Sequence, residues 1–115
     1  MINVGSIDGI RPPLMESYPY RASKAAVHQL THHLGHRLAS EHITVNAIAP
    51  GPLESKMMAF ALGDPTPRSA IEHSVPLGRI GRPDDMAGVA LFLASRAGAY
   101  LTGTVIPVDG GMTGA

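Results

Sequence analysis

The chain has 115 residues, 44% of them hydrophobic, with nine basic side chains against nine acidic ones and no cysteine. That length allows one domain with a modest core, and the charge balance argues against nucleic-acid or membrane-surface partners, which call for a basic excess. Without cysteine there is neither a disulfide nor thiol chemistry, which fits a cytoplasmic protein; no apolar run reaches the roughly 18 residues of a membrane span, and no basic stretch followed by an apolar one marks a secretory signal.

In chain order, Met1 to Ser6 is short, apolar and β-competent, and Asp8-Gly9 with Arg11-Pro12-Pro13 reads as a loop. Pro19 disfavours helix at the residue before it, so the next helix is expected to start after it or to be distorted there. From about Ser17 to Ser40 the pattern is helical, with Ala26, Val27, Leu30, Leu34 and Leu38 recurring at threes and fours. Ile43 to Ala49 mixes β-branched and small residues as a strand does, and Pro50-Gly51-Pro52 breaks it. Residues 53 to 82 are rich in Gly and Pro, with short helices expected near Ser55–Leu62 and Arg68–Ser74. Asp84 to Ser95 reads as a helix with Pro83 in its first turn and Met86, Val89, Ala90 and Leu93 on its inner face. Thr104 to Val108 reads as the last strand, before Gly110-Gly111. Strand, helix, strand, helix, strand implies an α/β fold with a parallel sheet and right-handed crossovers. Ligands of such sheets bind off the carboxyl ends of the strands, which is where Ser6, Pro50-Gly51 and Asp109-Gly110 fall.

Tyr20 and Lys24 are four residues apart, so a helix sets both on one face. A free phenol titrates near about 10, too high for proton transfer near neutrality. A unit positive charge at roughly 4 Å, in an effective dielectric of about 20, favours a phenolate by about 4 kcal/mol, an upper figure in an open cleft. The pattern therefore suits general acid–base chemistry. The same two residues also serve as a lysine stem packed on a ring, and Tyr18 competes with Tyr20; the spacing to Lys24 selects Tyr20. Ser6 is either a hydroxyl for a substrate oxygen or a turn serine bonding the backbone at Asp8 or Gly9. Pro50-Gly51 either admits a ligand close to the backbone or ends a strand in an ordinary turn. His28, His32 and His36 have a metal-compatible spacing, but no His-Glu-x-x-His motif accompanies them, and an outer, solvated face is the expectation; no metal is expected. Gly110-Gly111 with Gly114 opens no helix, so it is read as a turn rather than a phosphate loop.

Ile2-Asn3-Val4-Gly5-Ser6, Tyr20 to Lys24, Val45-Asn46-Ala47-Ile48-Ala49-Pro50-Gly51, Pro76-Leu77-Gly78-Arg79 and Val108-Asp109-Gly110-Gly111 closely resemble, in order and spacing, the C-terminal half of a short-chain dehydrogenase/reductase. The chain looks most like the 3-oxoacyl-(acyl-carrier-protein) reductases of that family; Tyr18-Pro19-Tyr20 and Pro50 to Met57 resemble the branch associated with rhamnolipid biosynthesis.

The resemblance implies the C-terminal part of a Rossmann-type doubly wound sheet, about three strands and their helices, over residues 1–115. It implies that Ser6 polarises a substrate carbonyl, that Tyr20 supplies the proton, and that Lys24 tunes Tyr20 and holds the nicotinamide ribose. Pro50, Gly51, Leu53 and Ser55 would line the nicotinamide, Ser55 standing where the family usually has threonine. The cofactor would be NADP or NAD, with NADP preferred, and the substrate a ketone such as a 3-oxoacyl thioester. Met57, Met58, Phe60 and Leu62 would form a substrate lid, or a plain packing helix. A homo-oligomer is implied for the full-length form. The family's glycine-rich nucleotide loop and its relay asparagine have no counterpart here, and the Ser6–Tyr20 spacing is one residue longer than the family's commonest. The chain alone is therefore expected to fold poorly, or only in association, and to be inactive; the other reading is a non-catalytic interaction module of the same fold.

Overall fold

A computed structural model describes residues 1–12, 17–55 and 65–114. Three strands, β1 (Ile2–Val4), β2 (Asn46–Pro50) and β3 (Val105–Val108), form one parallel sheet in the order β1-β2-β3. Among the described residues three α-helices accompany them: α1 (Tyr18–Leu38), α2 (Pro65–Ser74) and α3 (Pro83–Ala94). The α/β class and parallel sheet expected from the pattern are the ones observed.

The central strand carries the core. Val45, Ala47 and Ala49 are completely buried, and β2 pairs with both neighbours, Asn3 opposite Ala47 and Ala49 opposite Pro107. Pro107 sits in an outer strand, where a missing N–H is tolerated. In β1, Ile2 and Val4 are exposed. Strand β2 starts later than the Ile43–Ala49 pattern suggested. Val45 N–H donates to Thr102 Oγ1 rather than to a neighbouring strand, while Val45 C=O accepts from Gly103 N–H at 2.7 Å.

Helix α1 begins at Tyr18, before Pro19, which lies inside the first turn where its missing N–H would have no helical partner. Its inner face takes up only part of the apolar pattern, with Val27, Leu34 and Leu38 half-buried. Its buried residues are His28, Thr31 and Gly35, whereas Ala26 and Leu30 are exposed. The cause is close approach: a Cβ on Gly35 would lie 2.4 Å from Gly103 N. Polar and small side chains fill that seam, Thr31 Oγ1 accepting from Asn3 Nδ2 at 3.0 Å.

Helix α3 matches its expected inner face, with Leu93 buried and Met86, Val89 and Ala90 half-buried. Arg79 clamps its start, donating from Nη1 and Nη2 to the two oxygens of Asp85 at 2.8 and 3.0 Å, while Arg82 N–H donates to Asp85 Oδ2. The Arg79 hydrogen bonds first, then the Arg82 N–H, hold the Asp85 carboxyl well below the ordinary carboxylate range. The Pro76-Leu77-Gly78-Arg79 motif thus acts as a helix clamp. Arg68 of α2 bonds Glu72 on its own helix and Glu54 after β2, at 3.0 and 2.8 Å. The helix expected near Ser55–Leu62 falls almost wholly outside the described residues, as do Met57, Met58, Phe60 and Leu62.

Candidate functional site

All three strands run the same way, so their carboxyl ends share one edge of the sheet. Ser6 follows β1, Pro50-Gly51 ends β2, and Asp109-Gly110 follows β3. The first turns of α1 bring Tyr20 and Lys24 to the same edge. Lys24 Nζ lies 5.6 Å from the centroid of the Tyr20 ring and donates to Val4 C=O, the last carbonyl of β1, at 3.1 Å. One ammonium thereby ties the phenol-bearing helix to the strand that leads into Ser6, two of its three protons remaining for other partners.

Ser6 is buried and extended, with φ −167° and ψ 151°. The turn reading holds in part, because Ser6 Oγ accepts from Asp8 N–H at 3.1 Å and starts a short 3-10 turn over Ile7–Gly9. That bond uses a lone pair; the hydroxyl proton is not committed by it. Among the described residues no hydrogen bond joins Ser6 to Tyr20. Tyr20 is half-buried, whereas its competitor Tyr18 is exposed at the very start of α1.

On the other side of the edge, Gly51 N–H donates to Val108 C=O at 3.0 Å. A Cβ on Gly51 would sit 2.7 Å from Asp109 Cβ, so glycine is needed for packing of the two strand ends, not for a ligand's approach alone. Leu53 bridges Gly81 in a parallel pair, and Ser55 is exposed beyond it. Asp109 organises the C-terminal turn, accepting from Gly111 N–H, Thr113 N–H and Thr113 Oγ1 at 2.9, 2.8 and 2.6 Å. Burial works against the charged form of Asp109, but the Thr113 hydroxyl and the N–H groups outweigh it and lower the pKa. Met112 C=O accepts from Arg11 Nη1 at 2.6 Å, which fastens the loop after Ser6 to that turn.

Two residues of the edge escaped the sequence reading. His28, expected on a solvated face, is buried and accepts the Ser6 N–H on Nε2 at 3.2 Å. Arg11 was read only as part of a loop. The signal for His28 was available: Ser6 is bracketed by Gly5 and Gly9, and glycines beside a functional residue mark space that another group occupies. His32, His33 and His36 are exposed, His32 Nδ1 lying 2.7 Å from Gly103 C=O. Among the described residues no group of three or more His, Cys, Asp or Glu is placed to hold a metal ion, and no helix is long and apolar enough to cross a membrane. Asn3 and Asn46, neither suited to the relay, have structural partners: Thr31 for Asn3, and Leu101 C=O and Thr104 N–H for Asn46.

The site can be set beside known proteins. The rhamnolipids biosynthesis 3-oxoacyl-[acyl-carrier-protein] reductase of Pseudomonas aeruginosa is 50% identical over 111 residues, 96% of this chain and 43% of its own length. The 3beta-hydroxysteroid dehydrogenase 1 of Eggerthella lenta is 43% identical over 113 residues, 98% of this chain and 43% of that protein. Among solved structures, the Pseudomonas aeruginosa RhlG/NADP active-site complex superposes with a TM-score of 0.92 at 50% identity, covering 96% of this chain and 43% of that one. The chain thus spans under half the length of these relatives. A family model described as enoyl-(acyl carrier protein) reductase matches residues 1–113. With nearly every residue inside that match, and the Rossmann-type α/β architecture shared with solved members, the chain belongs to the short-chain dehydrogenase/reductase family.

Proposed function

We propose that these 115 residues form the catalytic and substrate-binding half of an NAD(P)-dependent oxidoreductase that reduces a ketone, a 3-oxoacyl thioester, to the 3-hydroxy form. The observation that carries the reading is the position of Lys24, bonded to the last carbonyl of β1 and 5.6 Å from the Tyr20 ring centroid. It gathers an acid, a cation and the Ser6 hydroxyl at the carboxyl edge of a parallel sheet, where such folds bind ligands.

The donor set fits the nicotinamide half of the cofactor. The Lys24 ammonium keeps protons beyond the one given to Val4, Ser55 offers an exposed hydroxyl, and Pro50, Gly51 and Leu53 form the adjoining wall. Nothing comparable for a pyrophosphate is present among the described residues, since Gly110-Gly111 lies in a turn after β3. When bound, the nicotinamide supplies the hydride.

The chain's own residues do the rest. Ser6 donates its hydroxyl proton in a hydrogen bond to the substrate carbonyl oxygen; one of its lone pairs is already engaged by Asp8 N–H. Tyr20 transfers its phenolic proton to the same oxygen as the carbonyl is reduced, and takes it back in the oxidation direction. Lys24 keeps a positive charge beside the Tyr20 ring and orients the ribose. NADP rather than NAD is proposed from the likeness to the Pseudomonas aeruginosa complex, and the thioester from the reductase relative. The full-length form is proposed to associate with itself, consistent with the exposure of Leu30, Leu91, Phe92 and Tyr100.

The test is loss of cofactor absorbance with a 3-oxoacyl thioester, measured on the full polypeptide carrying this chain and on its Tyr20→Phe variant. Turnover is expected to fall by about 10²–10⁴-fold, the usual worth of a positioned acid, with cofactor binding retained. Near-normal rates in Tyr20→Phe would remove the mechanism, and turnover of a steroid or sugar ketone but not the thioester would replace the substrate.

A further inference from the structure

Ser6 is held through its backbone as well as its side chain, and the holder comes from α1. His28 lies eight residues after Tyr20, about two turns along the helix. Its ring is 6% exposed, and Nε2 accepts the Ser6 N–H at 3.2 Å in a buried bond. An acceptor on Nε2 places the imidazole proton on Nδ1, so the bond requires the neutral ring in one tautomer.

The ring's position is made by two glycines. A Cβ on Gly5 would lie 2.0 Å from His28 Nε2 and 2.4 Å from Cδ2, and a Cβ on Gly9 would lie 2.9 Å from Cε1. A side chain at Gly5 would displace the imidazole, and one at Gly9 would press on both the ring and the α1 backbone, 2.8 Å from Ala25 N. The segment Gly5-Ser6-Ile7-Asp8-Gly9 thus carries its two smallest residues against one histidine, with the serine between them. A leucine at position 28 would fill similar space but leave a buried N–H without a partner.

We infer that His28 is a positioning residue: by accepting the Ser6 N–H and occupying the space left by Gly5 and Gly9, it fixes the direction in which the Ser6 hydroxyl is presented. Its catalytic consequence rests on the function proposed above; the bond itself does not. With His28 in place the Ser6 N–H is bonded, Ser6 Oγ accepts from Asp8 N–H at 3.1 Å, and Ser6 C=O accepts from Gly9 N–H at 3.0 Å. Only the hydroxyl proton is left to be directed outward.

Protonating the ring would put a hydrogen on Nε2, facing the Ser6 N–H, and the restraint would be lost. Lys24 and His32 on the same helix are the charged or titratable neighbours; the packed 3-10 turn adds Asp8, and β1 adds none. Burial first, then His32 and Lys24, favour the neutral ring.

The experiment uses the full polypeptide carrying this chain, as wild type, His28→Gln and His28→Leu. Glutamine reaches the same place with an oxygen acceptor; leucine cannot accept. Reduction of a 3-oxoacyl thioester is followed from about pH 5 to 8, the range in which histidine titrates, and the Ser6 amide resonance is followed over the same range. His28→Leu is expected to lower kcat by about tenfold or more with KM within about twofold, the pattern of a lost transition-state interaction, and His28→Gln to restore most of it. The wild type should show an acid limb in kcat that His28→Gln lacks, and its Ser6 amide should shift with the same titration while that of His28→Gln stays fixed. A folded His28→Leu variant with wild-type kcat, or a Ser6 amide blind to the titration of His28, overturns the inference. Should His28→Leu not fold, the glutamine variant and the amide titration decide. A wild type that reduces no carbonyl substrate defeats the proposed function instead, and the amide readout still judges the hydrogen bond.

Discussion

The two sides of the sheet edge are built by different means. Around Ser6, geometry depends on side chains: Lys24 on Val4 C=O, His28 under Ser6 N–H, Ser6 Oγ under Asp8 N–H. Beyond Pro50, the strand ends are joined backbone on backbone, Gly51 N–H to Val108 C=O, Gly81 N–H to Pro52 C=O at 2.9 Å and Glu54 N–H to Gly81 C=O at 3.0 Å, with the side chains of Arg68, Arg79 and Asp109 bracing the turns outside them. The first side thus hangs on the side chains of Lys24, His28 and Ser6, whereas the second is a backbone frame braced from outside by Arg79 and Asp109. The contrast suits a division between a corner that must aim a proton and a wall that must only be flat and close.

Substitutions test that contrast. The largest effect is expected for Gly5→Ala, whose Cβ would collide with His28 Nε2 at 2.0 Å, a ring already confined by Gly9. Overpacking of this kind costs about 1–3 kcal/mol, and the upper end is expected by urea denaturation, with turnover lost in parallel. Gly51→Ala meets Asp109 Cα at 2.8 Å; a loss in the middle of the same range is expected, with cofactor affinity falling more than kcat. If Gly51→Ala harmed kcat more than Gly5→Ala, the division would be wrong.

Acid gives a smaller, reversible test. The His28 pKa is lowered from the ordinary 6.5, by burial first and then by His32 and Lys24. The folded state therefore binds fewer protons than the unfolded chain between the lowered value and 6.5. The contribution of the neutral ring is complete above about pH 6.5, declines as pH falls below it, and levels off beneath the folded pKa. The urea midpoint should drift down across that window in wild type, and the part due to this residue should vanish in His28→Gln. The smallest effect is expected at Ser55, which is exposed. Ser55→Ala should leave stability within about 0.5 kcal/mol while weakening cofactor binding in a titration, because its proposed work is only to donate a hydroxyl.

The strands and the helix spacing of Tyr20 and Lys24 were legible because each follows from local pattern. β2 reads as apolar and β-branched, and residues four apart share a helix face in any protein. The inner face of α1 was not legible from hydrophobicity, because proximity chose it: at Gly35 the backbone of residue 103 comes so near that leucine is excluded. The same closeness hid His28, a polar side chain in a position periodicity assigns to solvent. Pro19 misled in the opposite direction, since a proline in the first turn is as compatible with a helix start as one before it. Ser6 was read two ways; the structure shows the capping bond, which takes one lone pair and leaves the proton, and the carbonyl-polarising role stands as a proposal.

The bond from Arg11 to Met112, between residues 101 apart, bears on biosynthesis. A ribosome releases the amino-terminal end first and domains settle as they emerge, so the segment after Ser6 must wait for a residue 101 positions further along before its anchor exists. Until Met112 has been made Arg11 lacks that partner on the nascent polypeptide, and the corner around it matures later than the strand it follows.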